Sequence, residues 1–158
     1  IRDSSSTAII FDDTRTKILL QKREDFRVWD VPGGMVEAGE DFATAAIREA
    51  YEETGLIIEV IRHVGDFHRP QAKKVAHLYE CRVIGGEIIK QSSETVDVDW
   101  FSIKDLPKRC TPPTQKYLDA TLANHAEPIQ ETLTYSTWLI IVWKLAIKLR
   151  NLRNRFLR

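Results

Sequence analysis

Apolar residues in this chain gather in short runs separated by turn formers, and only a few stretches carry helical spacing. Residues 5–11 and 17–22 are β-prone and are joined by the turn cluster Asp12-Asp13-Thr14. Pro32-Gly33-Gly34 interrupts any regular element, and Gly39-Glu40-Asp41 opens a segment rich in helix formers over 42–54. Gly55 stands where a helix-ending glycine belongs. Residues 56–64 and 74–84 read as strands with a polar loop, Phe67-His68-Arg69-Pro70, between them. Gly85-Gly86 predicts a tight turn into 87–90. Over 96–101, Val96, Val98 and Trp100 alternate with Asp97 and Asp99, the period of a half-buried strand. A short helical turn is expected over 103–106, stopped by Pro107, and a helix from 114 to about 124 after Pro112-Pro113. Strands around one helix, more strands and a second helix predict a mixed sheet covered by helices.

The chain has 158 residues, 43% hydrophobic and 29% charged, which suits one globular domain and excludes a disordered one. Its 23 basic and 23 acidic side chains balance, so nothing pulls the whole molecule toward nucleic acid, and no specific nucleic-acid partner is expected. The balance is uneven along the chain. From Trp138 onward there are only Lys and Arg among the charges, which leaves the acidic excess in the body. Cys81 and Cys110 lack metal-ligand spacing, no secretory signal peptide is visible, and a reducing cytoplasm is the expected setting.

The densest chemistry lies in residues 34–56, GMVEAGEDFATAAIREAYEETGL. At about 100° per helical residue, Glu49, Glu52 and Glu53 fall within an arc of about 100°. An exposed acidic face is the bland reading of such a cluster. Three carboxylates on one face repel one another, and a divalent cation resolves the conflict: hard Mg²⁺, with Mn²⁺ as its substitute, prefers carboxylate oxygens. Such an ion clamps phosphate oxygens and lowers the pKa of an attacking water. Arg48 is placed to brace the cluster, and Gly33 and Gly34 let backbone approach it, so the Gly33 carbonyl joins the ligand candidates.

The segment resembles the Nudix box, G-x5-E-x7-R-E-U-x-E-E-x-G-U, with every fixed position filled by Gly34, Glu40, Arg48, Glu49, Glu52, Glu53 and Gly55. Ala50, at a position for a bulky aliphatic, is the one departure. The resemblance implies a Nudix α/β/α sandwich with a loop–helix–loop catalytic motif, and Mg²⁺-dependent hydrolysis of a nucleoside diphosphate linked to another moiety. Nucleotide sugars, ADP-ribose-like molecules and (d)NTPs are the substrate classes. It makes Glu52 and Glu53 metal positions and Glu49 a ligand or base. A further acid completes the site, for which Glu94 is the leading residue and Asp97 the alternative. The general base stays open among Glu49, Glu94 and Asp97. Arg23 matches a phosphate-binding cation, Trp29 and Phe26 precede Pro32 where they could stack on a base, and His68 is the histidine placed to meet the substrate. Histidines 63, 77 and 125 show no convincing ligand partner. Two alternatives stand beside hydrolysis: a nucleotide sensor without turnover, and a prenyl-diphosphate isomerase, which would need a cysteine or acid near its substrate that neither Cys81 nor Cys110 is placed to supply.

Residues 1–128 are expected to form the hydrolase domain and 129–158 an amphipathic, basic helical tail. Trp138-Leu-Ile-Ile-Val-Trp143 and the basic residues after it leave too few consecutive apolar residues for the roughly 20 of a spanning helix. Three readings of 136–158 are open: packing on the body or on a second copy, contact with a membrane surface, or a calmodulin-type target segment.

Overall fold

An unbroken apolar run in a strand signals burial on both faces, and the chain's central strand has one. The computed structural model describes residues 3–156; residues 1–2 and 157–158, the ends of the two expected segments, lie outside the described residues. In β1 (Asp3–Phe11), Ala8 and Ile10 join one core while Ile9 and Phe11 join another on the opposite face. β2 (Lys17–Arg23) divides likewise, with Leu19 on one side and Ile18 and Leu20 on the other. Short strands β3 (Trp29–Asp30) and β4 (Gly33–Met35) follow, then helix α1 (Phe42–Thr54). The sheet continues through β5 (Leu56–Arg69), β6 (Lys74–Gly86) and β7 (Thr95–Ser102). Helix α2 (Pro113–Leu122), β8 (Ile129–Thr132) and helix α3 (Thr137–Phe156) complete the order.

The sheet runs β3-β2-β1-β6-β5-β8, with β4 paired to β1 and β7 to β2. β1 lies parallel to β6 and β8 parallel to β5, while the other pairings are antiparallel, so the sheet is mixed. Helix α1 covers one face and α2 the other, which gives the α/β/α layers expected from the sequence. Asp41 caps α1 by accepting from the Thr44 amide at 2.8 Å, and Gly55 ends it at φ 78°. The face of α1 turned to the sheet is Ala45, Ala46 and Ala50, all fully buried. Small side chains there let the helix lie close to the sheet, which accounts for alanine at the aliphatic position of the box.

Four expectations need correction. Residues 67–69 are not loop: β5 runs on to Arg69, held between β6 and β8, and Phe67 is fully buried opposite Tyr117 (ring centroids 4.9 Å). Gly85 and Gly86 make no hairpin, because both still pair with β5 and the chain then crosses the end of α1, where the Ile89 amide donates to the Thr54 carbonyl. Residues 103–106 form a turn rather than a helical one. The helical tail does not start at 129, since β8 joins the sheet and Leu133 is buried in the α2-side core. Gly65 permits that last pairing: a Cβ there would stand 2.5 Å from the Ile129 carbonyl oxygen.

Candidate active site

The box opens with β4 and proceeds into α1, and both are drawn to the N-terminal half of β1. Thr7 pairs with Gly33 and Ser6 with Gly34. A side chain at Gly33 would meet the Ser6 carbonyl at 2.4 Å, and one at Gly34 would meet the Glu49 carboxylate at 2.3 Å. Gly33 is therefore required by its close approach to the sheet backbone, while Gly34 leaves the space that the Glu49 carboxylate occupies. Between β4, α1 and the ends of β1, β2, β5 and β6 lies a cleft of about 600 Å³.

Glu49, Glu53, Glu94 and Asp30 line it, together with Gly33 and Gly34. Glu53 is buried, and its one hydrogen bond among the described residues comes from the Gly33 amide at 2.9 Å. Burial pushes its carboxyl well above the usual carboxylate range, and the nearby charges of Glu49 and Asp30 push the same way. Glu49 is raised for the same first reason; the hydrogen bond and charge of Arg48 oppose the rise, and smaller repulsions from Glu52 and Glu94 add to it. Asp30 is raised by burial despite accepting from the Thr111 hydroxyl at 2.7 Å. Several acids thus face one space with less compensation than their charges require. A set of carboxylates and a backbone carbonyl is an all-oxygen donor set, the kind that suits a hard divalent cation.

Arg48 sits behind the acids as a brace. Its Nε and Nη2 hold both oxygens of Glu40 at 2.9 and 3.0 Å, Nη1 donates to Glu49 at 2.9 Å, and Nη2 reaches the Met35 carbonyl at 2.9 Å. Glu40 is pulled below the usual carboxylate range by that fork, and Arg48 is held charged. Glu52 shares Arg48 at 3.4 Å and stands more exposed, outside the cleft lining.

Arg23, the expected phosphate-binding cation, lines the cleft but is engaged: Nη2 and Nε bind Asp25 at 2.8 and 3.0 Å, and Nη1 lies 3.6 Å from Asp30. Trp29 and His68 do not line it. Trp29 packs edge-to-face on Phe101 at 4.7 Å beside the α2-side core, and His68 bonds Gln130 at 2.7 Å. Asp97 points elsewhere, 3.3 Å from Lys90, whereas Glu94 is at the cleft. Cys81 is buried in the α1-side core and Cys110 packs on the other, so neither reaches the site in the way an isomerase would need.

Sequence reasoning missed Asp30, Arg69 and Lys74, all in the lining. Arg69 ends β5 rather than lying in a loop; it lines the cleft, and its Nε has no hydrogen-bond partner among the described residues. It also missed a cluster away from the cleft. Asp66 Oδ1 takes hydrogen bonds from His63 and His77 at 2.8 and 2.7 Å, and Oδ2 accepts from Gln130 at 2.8 Å. The three residues could hold a metal ion, yet as a hydrogen-bonded clasp joining β5, β6 and β8 they are already satisfied. Only strand register brings them together.

An acid-lined cleft built by a loop–helix–loop against a mixed sheet offers an oxygen-rich donor set of the kind that suits a divalent metal and a phosphoric anhydride. The NUDIX domain model matches residues 2–122, and the chain belongs to the Nudix family. It is similar to a Bacillus subtilis (strain 168) protein provisionally named an 8-oxo-dGTP diphosphatase, with 32% identity over 80% of this chain and 84% of that one. It is 33% identical to an ADP-ribose pyrophosphatase of Methanocaldococcus jannaschii, over 63% of this chain and 62% of that one. Among solved structures, an ADP-ribose pyrophosphatase from Streptococcus suis 89-1591 superposes with a TM-score of 0.67 at 26% identity, over 84% of this chain and all of that one. The chain is thus a Nudix pyrophosphohydrolase of nucleoside diphosphate derivatives. No helix among the described residues is long and apolar enough to cross a membrane.

Proposed function

We propose that the protein uses Mg²⁺, or Mn²⁺ in its place, to hydrolyse the diphosphate of a nucleoside diphosphate linked to a second moiety, such as a sugar or ribose. The observation that carries this reading is Glu53, a buried carboxyl with one amide partner, facing Glu49, Glu94 and Asp30 across the cleft. Glu49, Glu53, Glu94 and the Gly33 carbonyl would hold the ion, with Glu52 joining through the carboxylate it shares with Arg48. When bound, the ion supplies charge neutralisation for the diphosphate and acidifies the attacking water.

The chain's own groups do the rest. Arg48 fixes the Glu49 carboxylate so that its free edge stays turned to the cleft. Glu49 and Glu94 are the acids free to take the water's proton, because Asp97 lies outside the lining and is paired with Lys90. Arg69 and Lys74 supply positive charge at the far wall, where the phosphates of the substrate need it; Arg23, held by Asp25 and Asp30, shapes that wall instead. A volume of about 600 Å³ is in the range that takes a nucleotide-sized ligand.

A cytoplasmic setting belongs to this reading and is supported by two free, separated thiols. So does a surface contact through residues 136–158, with a second copy or a membrane as its occupants. The test is a product assay over nucleotide sugars, ADP-ribose, dinucleotides and oxidised dNTPs with Mg²⁺ and with Mn²⁺. Metal-dependent release of a nucleoside monophosphate from one class supports the proposal, and metal-dependent binding with no product across the panel overturns it.

A further inference from the structure

Helix α3 touches the body along one side only. Trp143 lies 5.9 Å from Phe26 between ring centroids, and Arg150 stands 3.7 Å from Asp25 and 5.5 Å from the Phe26 ring. Ile140, Ala146 and Ile147 on that side are half-buried. At about 100° per residue these positions share one face of the helix. The opposite face carries Trp138, Val142, Leu145, Leu149 and Leu152, recurring in alternate steps of four and three, with exposures from 42% to 73%. Ile141 widens the stripe. Nothing in the chain covers it among the described residues, and a continuous apolar stripe of this kind marks an interaction surface rather than a solvated one.

The spacing suits a two-helix seam as well as a lipid boundary, and the flanking charges discriminate. Lys144 and Lys148 border the stripe on one side and Arg153 on the other, with no acid between residues 137 and 153. In a parallel pair of α3 helices, Lys148 would face Arg153 of the second copy. In an antiparallel pair, each would face its own kind. Either arrangement sets like charges against each other beside the seam, and an anionic surface relieves both.

We propose that α3 docks on an anionic lipid surface, lying in the membrane plane with the Trp138–Leu152 stripe at the headgroup boundary. Lys144, Lys148 and Arg153 reach from its flanks to lipid phosphates, their apolar stems lying along the stripe. The inner face stays on the body at Asp25 and Phe26, next to Arg23, so docking holds the cleft close to the membrane. This inference is independent of which nucleotide the cleft takes.

The test is flotation of the full chain with vesicles of phosphatidylglycerol in phosphatidylcholine and with vesicles of phosphatidylcholine alone. The protein should float with the anionic vesicles in preference to the neutral ones. The preference should fall several-fold when salt shortens the Debye length to about 3 Å. The double variant Leu145→Glu/Leu149→Glu should lose binding by at least about tenfold. Lys148→Glu/Arg153→Glu should lose the anionic preference. Circular dichroism and thermal unfolding of each variant verify that the body is folded. Failure of the full chain to float with anionic vesicles overturns the proposal, as does binding that the stripe substitutions leave unchanged. A concentration-dependent dimer in sedimentation equilibrium, abolished by the same stripe substitutions and unaccompanied by vesicle binding, would assign the face to a second copy instead.

Discussion

Replacing Arg69 and Arg23 separately by alanine separates a cation that waits for substrate from one already committed to the fold. Both line the cleft. Arg23 makes two hydrogen bonds to Asp25 and lies 3.6 Å from Asp30, whose carboxyl is already pushed up by burial. Arg69 makes no ion pair among the described residues, and its Nε is buried without a partner. A charge-assisted hydrogen bond to a phosphate contributes about 1.5–3 kcal/mol. Arg69 is half-buried, and screening reduces that to roughly 1–2 kcal/mol, which converts to a loss of about 5–30-fold in kcat/KM. The loss should fall mainly on KM, because the phosphate is bound before and during reaction. Arg69→Lys should recover part of it, since a point charge replaces the fork. Folding stability should change by less than about 1 kcal/mol in Arg69→Ala, as no native ion pair is broken. Arg23→Ala should instead lose roughly 1–2 kcal/mol of stability by leaving Asp30 without its cation, a figure already reduced for the exposure of the guanidinium. Steady-state kinetics on the best substrate of the panel, beside urea unfolding of both variants, reads the two effects. If Arg69→Ala keeps kcat/KM within about twofold, or if Arg23→Ala shows the larger kinetic loss at unchanged stability, the division of roles is wrong.

Glu53→Gln keeps the volume and an oxygen for the Gly33 amide, so the fold should stand while turnover falls by at least about 100-fold and Mg²⁺ no longer raises the unfolding temperature. Near-normal turnover would remove Glu53 from the site. Burial pushes the Cys81 thiol up to about 12 and the Cys110 thiol up to about 11, so neither should react with iodoacetamide at pH 8 until the protein unfolds, and labelling of the native protein would contradict their placement. Burial pulls the Asp66 carboxyl upward, but hydrogen bonds from Gln130, His77 and His63 outweigh it and leave it lowered. A depressed carboxylate contributes stability above its unfolded value near 3.9 that is lost as pH falls through the folded one. Asp66→Asn should therefore be less stable than the parent at neutral pH and converge with it in acid; urea midpoints that differ equally at both ends would refute the clasp.

Legibility along the chain follows the range of the interactions involved. Helix α1 was readable to the residue because its signals are local: Asp41 caps it, Gly55 ends it, and its acids and alanines alternate with helical period. The same locality made Arg48 recognisable as the brace of Glu49, one residue away in sequence and 2.9 Å away in space. Spacing alone does not separate Glu94 from Asp97; the pairing of β7 with β2 turns Asp97 toward Lys90 and leaves Glu94 ahead of the strand, in the cleft lining. Where a residue's meaning depends on strand register, the sequence misled. The run Phe67-His68-Arg69-Pro70 resembles a loop, yet Asp66 and His68 alternate with buried Phe67 in a strand paired on both sides, and Arg69 follows on the face of Phe67. The loop reading hides Arg69, and the pairing of β5 with β6 and β8 makes the clasp of Asp66 with His63, His77 and Gln130.

The same distinction explains why the acids can be buried at all. An isolated helix carrying Glu49, Glu52 and Glu53 gains nothing from placing one of them against a sheet, and desolvation of Glu53 opposes it. The alanines of α1 settle the matter. Ala45, Ala46 and Ala50 bring the helix so near β1 that Glu53, three residues beyond Ala50 on the same face, is buried at the wall of the cleft. Gly33 then answers with an amide, and Gly34 clears space for Glu49. The packing of the helix and the crowding of acids at the cleft are thus one arrangement, because apolar burial along α1 supplies the free energy that holds the carboxylates together where a divalent cation would relieve them.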